Sequence, residues 1–157
     1  MVQDVNILDG KHLGQLAEQL RLSYAHLIKM YIQLCKKYES FKKKNNNDET
    51  KKWIPPVDMY FYDATGKISW NNIHPLMPYD IEKSIKKEYG LLSENEIRLC
   101  CLLLFDVPAN EITNILPYTQ KSIHSITHRI KQKTNMKDIK TNLKKMLLYE
   151  KKRISQL

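Results

Sequence analysis

Residues 107–133, VPANEITNILPYTQKSIHSITHRIKQK, decide how the rest of the chain is read. Ile112, Ile115 and Leu116 give the opening helix a single apolar face. Pro117 ends that helix, since proline cannot donate to the helix ladder and drives the preceding residue out of helical geometry. Thr119 stands where an N-cap belongs, its hydroxyl able to accept an orphan backbone N–H. From Gln120 onward the apolar residues are Ile123, Ile126 and Ile130, three and four positions apart, which makes one buried stripe on a helix. The other face carries Gln120, Lys121, His124, Ser125, His128, Arg129, Lys131 and Lys133, with no acidic residue among them.

A short helix, a tight turn and a longer basic helix form the helix-turn-helix arrangement. Its second helix fits the major groove, where exposed side chains reach base edges and phosphates. A plain helical hairpin with a solvated basic face has the same pattern and stays open.

The segment extends upstream. Residues 91–134, LLSENEIRLCCLLLFDVPANEITNILPYTQKSIHSITHRIKQKT, resemble the LuxR-type helix-turn-helix, in the version found at the C-terminus of many Bacteroidetes regulators. The residues carrying the resemblance are Leu92, Ser93, Glu96, Leu99, Cys100, Glu111, Ile112, Leu116, Thr119, Ser122, Ile123, Arg129, Ile130 and Lys133. The chain departs from the pattern at Thr113, at Pro117, and at Asp106, near the family's loop glycine. The resemblance implies that His124, Ser125 and His128 face bases. Lys121, Arg129, Lys131 and Lys133 are expected on phosphates, contacts that position without specifying sequence. Ile112, Leu116, Ile123, Ile126 and Ile130 hold the two helices together. The resemblance also makes the helix after the recognition helix, residues 138–155, a candidate seam between two subunits, with packing on its own domain the alternative.

Composition agrees with a DNA-binding protein. The chain has 157 residues, 42% apolar, with 26 basic and 17 acidic side chains and a net charge of +9. Residues 117–157 hold 11 of the basic residues against only Asp138 and Glu150, so the excess begins where the basic helix begins. A polyanion is the natural partner; a solubilising basic tail is the alternative. Four glycines favour helix. Cys35, Cys100 and Cys101 are odd in number and sit in apolar helical patterns, which predicts free thiols in a reducing cytoplasm. The first residues lack a signal-peptide pattern, and no apolar run approaches a membrane span.

Along the chain, Leu13, Leu20, Leu27, Leu34 and Phe41 recur at intervals of seven. That predicts a coiled coil or an amphipathic helix over residues 10–44. The stretch LGQLAEQLRLSYAHLIKMYIQL also fits a second helix-turn-helix, with Arg21 where a turn glycine is usual. Burial of Leu22 distinguishes the two, because the long helix leaves it off the heptad stripe. Residues 42–52 read as a polar linker or loop. VDMYFYDATGKISW, residues 57–70, predicts a β-hairpin turning at Asp63–Gly66, its aromatic residues forming a small core. Asp80 can cap a helix running to about Tyr89, stopped by Gly90, and Ser93 with Glu96 forms a capping box for the next.

The expected fold is mainly α in three regions: residues 1–50, a connector over 51–90, and a LuxR-like DNA-binding domain over 91–157. No constellation for enzyme chemistry stands out. His124 and His128 have ligand spacing, but their face is basic and repels a cation, so neither metal nor cofactor is expected. The function expected is a cytoplasmic, dimeric transcriptional regulator on double-stranded DNA, off the membrane. Two alternatives remain open: an adaptor whose basic C-terminal region binds an acidic partner, and a sigma-factor-like module binding RNA polymerase.

Overall fold

A computed structural model describes residues 10–148 of the chain. The fold is mainly helical: α1 (Gly10–Lys44), α2 (Ile54–Phe61), α3 (Trp70–Ile73), α4 (Ile81–Glu88), α5 (Glu94–Leu104), α6 (Ala109–Ile112), α7 (Gln120–Thr134) and α8 (Ile139–Lys144).

α1 is one uninterrupted helix of 35 residues, so of the two readings of this stretch the long helix is the one formed and the second helix-turn-helix is not. Nothing in residues 11–40 breaks a helix except Gly14, and Leu22 is 49% exposed, as the continuous helix requires. The stripe it buries is not the heptad of leucines. Ala17, Arg21, Ile28, Ile32 and Cys35 face the core, with Tyr24 and Tyr31 packed beside them. Leu13, Leu27, Leu34 and Phe41 point outward.

The expected hairpin is corrected. Residues 54–61 form α2, with Pro55 and Pro56 in its first turn, where a missing N–H costs nothing and the fixed φ already suits a helix. The turn itself is present: Gly66 N–H donates to the Asp63 carbonyl at 3.0 Å, and Gly66 takes φ 81°. Only one antiparallel bridge, Tyr62 with Ile68, remains of the pairing, and the described residues hold no strand. The aromatic residues pack on α1: Phe61 stacks on Tyr38 at 5.0 Å, and the Tyr38 and Tyr62 hydroxyls donate to Asp58 and Glu39, each at 2.6 Å.

The expected loop over residues 42–52 is shorter and more ordered than its composition suggests. α1 runs to Lys44, and the Thr50 hydroxyl and N–H close the following turn onto the Asn45 carbonyl and Asn47. α4 begins after Asp80 as expected, but Asp80 makes no side-chain cap and sits in the left-handed region at φ 61°.

One buried cluster runs from Ile28 on α1 to Leu147, taking residues from all three expected regions. Leu99, Cys100, Cys101, Leu102 and Leu104 of α5 form its centre, packed against α4 and α8. The three cysteines are free and buried, and burial pushes the Cys100 thiol up to about 12. Among the described residues no helix is long and apolar enough to cross a membrane.

Candidate nucleic-acid interface

The 91–134 segment folds into three helices whose ends are fixed by local chemistry. Ser93 Oγ accepts the Glu96 N–H at 3.2 Å while the Ser93 N–H donates to the Glu96 carboxylate at 2.9 Å, the reciprocal cap read from Ser-x-x-Glu. α5 ends in a left-handed residue: the Val107 N–H reaches the Leu102 carbonyl at 3.0 Å and the Asp106 N–H the Leu103 carbonyl at 3.3 Å. That six-to-one and five-to-two pattern is a Schellman stop, and it demands positive φ at its next-to-last residue, usually glycine. Here the residue is Asp106, at φ 60°. Its carboxylate is held by Arg21 and Lys140, each at 2.5 Å, contacts a glycine cannot make. Asp106 thus trades backbone ease for two ion pairs that tie α1 and α8 to the turn.

α6 is short, and the chain turns through residues 113–118 before α7. Ile112, Ile115 and Leu116 are buried as expected. Lys36 on α1 pairs with Glu111 at 2.6 Å, Lys67 donates to the Thr113 carbonyl at 2.7 Å, and the Ile68 N–H donates to the Asn114 carbonyl at 2.7 Å. These contacts fix the turn from behind. Thr119 caps α7 by accepting the Ser122 N–H at 3.1 Å, and the Ser122 hydroxyl closes a second capping box by accepting the Thr119 N–H at 3.0 Å. Ile123, Ile126 and Ile130 are buried, so their stripe sets which face of α7 turns outward.

The eight residues read from the sequence as the interface divide into three sets. Gln120, Lys121, His124, Ser125 and His128 are exposed and form one outward stripe. Gln132 extends it one turn further; the spacing of 121, 125, 128 and 132 would have included it. Arg129 and Lys133 lean the other way, onto Glu96, at 3.4 and 2.9 Å. Glu96 is 1% exposed. Burial works against its charge, but the Ser93 N–H and Lys133 outweigh burial and hold its pKa below the usual carboxylate value. Lys131 lies on the α8 side of α7, lining a shallow depression with Asp138 and Lys140. The buried role of Glu96 is legible in the sequence only as a cap.

Among the described residues no group of three or more His, Cys, Asp or Glu side chains is placed to hold a metal ion. His124 and His128 stand one turn apart on the open face of α7. Scans of protein-family models, curated proteins and solved structures return no match for this chain.

Proposed function

We propose that the chain is a transcriptional regulator of the LuxR-type helix-turn-helix kind, binding double-stranded DNA with α7 in the major groove. One observation carries this. α7 is anchored by three buried isoleucines and one doubly hydrogen-bonded N-terminal cap, and it presents Gln120, Lys121, His124, Ser125 and His128 on one open stripe. A helix rigid on one side and lined with hydrogen-bonding groups on the other is what reading base edges requires. The Schellman turn at Asp106, in place of the family's loop glycine, supports the LuxR-type reading, since a left-handed residue is needed there.

His124, Ser125 and His128 then meet bases, with Gln120 and Lys121 at the N-terminal end of the helix, where backbone N–H groups also favour phosphate. The test is fluorescence anisotropy on random-sequence duplex DNA across a salt series, comparing wild type with Lys121→Ala and with His124→Ala/His128→Ala. Lys121→Ala should weaken binding and flatten the dependence of log affinity on log salt by about 0.9. The histidine pair should alter preference among sequences more than the salt slope. Curves unchanged by either variant would remove α7 as the DNA reader.

A further inference from the structure

Single exposed apolar side chains are ordinary on a protein surface. On α1 they are ordered. Leu13, Leu27, Leu34 and Phe41 are 38, 47, 50 and 49% exposed, and Leu20 of the same series is partly buried. Three positions after each leucine come Leu16, Ser23, Met30 and Lys37, and Met30 is 53% exposed. Positions 13, 16, 20, 23, 27, 30, 34, 37 and 41 alternate three and four apart, the full seam of a coiled coil. That seam lies beside the stripe that packs on the core, about 110° around α1 from it, and Leu16 and Leu20 stand at the border, partly buried, with Leu20 touching the core.

We propose that this outer face of α1 is the dimer interface, covered by α1 of a second copy running antiparallel. The proposal stands independently of DNA binding. Area is the first argument. A helix of 35 residues is about 52 Å long and about 10 Å wide. One such face gives roughly 500 Å² per copy and about 1,000 Å² for the pair, the lower bound for a specific interface. Charge decides the direction. The end of α1 carries Lys36, Lys37, Lys42, Lys43 and Lys44, whereas residues 10–28 hold only Lys11 and Arg21 as cations. A parallel pair sets Lys37 on Lys37 and joins the two basic ends. An antiparallel pair in the register placing Leu27 on Met30 sets Lys37 over Leu20 and Phe41 over Leu16. The two-fold axis then crosses between Leu27 and Met30, giving a self-complementary contact.

The alternative seam over residues 138–155 is not open where it is described. Ile139, Leu143, Met146 and Leu147 are all buried against the rest of the chain. Residues 149–155 lie outside the described residues.

Sedimentation equilibrium of the full chain over a wide concentration range, without DNA, tests the proposal. Wild type should move from 18.6 kDa towards twice that mass as concentration rises. Leu27→Glu and Met30→Glu, both at exposed positions, should each remain monomeric with unchanged helical circular dichroism. For direction, a mixture of Leu20→Cys and Lys37→Cys chains should form a disulfide between unlike copies on mild oxidation, while Lys37→Cys alone should not. A monomer at all concentrations overturns the dimer, and self-linked Lys37→Cys overturns the antiparallel arrangement. Binding to phosphatidylserine vesicles by a chain that stays monomeric, lost in Leu27→Glu, would assign the face to a membrane surface and overturn the proposal.

Discussion

Replacing Arg21 with methionine removes the one charged side chain of α1 that is buried in the core, at 5% exposed. Its guanidinium holds the Glu18 carboxylate through two nitrogens and Asp106 at 2.5 Å, and it reaches the Leu104 carbonyl at 3.4 Å. Methionine fills a similar volume but leaves two carboxylates facing a gap. Breaking a buried pair typically costs about 3–5 kcal/mol. Both carboxylates are more than a third exposed and keep lysine partners, Lys144 for Glu18 and Lys140 for Asp106, so screening reduces the cost to about 2 kcal/mol. At about 2–4 °C per kcal/mol for a chain of this size, the melting temperature should fall by about 4–8 °C at pH 7. Thermal unfolding followed by far-UV circular dichroism reads that shift. The pH arm is sharper. The Arg21 contact, opposed by burial and helped by Lys144, holds Glu18 down to about 2 from an ordinary 4.5. A carboxylate with a depressed folded pKa stabilises fully above its unfolded value and loses that contribution as pH falls through the folded one. The gap between wild type and Arg21→Met should therefore close between about pH 4.5 and pH 2. A loss below about 0.5 kcal/mol, the scatter of ordinary surface changes, or a gap that persists to pH 2, would mean that Arg21 does not hold these carboxylates as described.

Two further outcomes are expected. Ile130→Ala empties a fully buried position under α7 and should cost about 2–5 kcal/mol by urea denaturation; a smaller loss would mean that the α7 stripe is not seated as described. Glu96→Gln keeps the capping geometry but frees Arg129 and Lys133, so duplex DNA should bind more tightly and with a steeper salt slope by up to about 0.9 for each freed cation. An unchanged slope in the anisotropy assay would show that neither residue reaches phosphate.

The sequence was most legible where local chemistry and periodicity agree. The α7 stripe, both caps flanking α5 and α7, and the burial of Ile112, Ile115 and Leu116 follow from spacing and capping residues alone. It misled where a tertiary partner decides. Met59, Tyr60, Phe61 and Tyr62 carry strand propensity, but Pro55 and Pro56 start a helix and Phe61 finds Tyr38 to stack on. Propensity on a half-buried surface yields to such packing. The heptad of α1 predicts a seam without saying which side meets the chain's own core. The answer needed Ile28, Ile32 and Cys35, a second apolar stripe interleaved with the first. Arg21 looked like a misplaced turn residue because its partners Asp106 and Leu104 are more than 80 positions away.

Folding redistributes the positive charge. Along the sequence the positive excess sits after residue 116, but in space the upstream acids fold against it. Arg129 and Lys133 meet Glu96, Lys140 meets Asp106, Lys144 meets Glu18, and Lys145 meets Glu88. Of the cations between residues 117 and 148, Lys121, Lys131 and Lys137 remain outside any ion pair among the described residues. If those three alone neutralise phosphates, the salt slope contributed by this segment is about −2.7, and about −4.5 if Arg129 and Lys133 leave Glu96 on binding. The second case exchanges a buried carboxylate's cations for phosphates, leaving Glu96 with only the Ser93 N–H at 1% exposure, a cost of several kcal/mol. The shallower slope is therefore the expected result for wild type. On the proposed reading, contacts from His124, Ser125 and His128 supply what non-specific attraction does not, so sequence preference should be high relative to non-specific affinity.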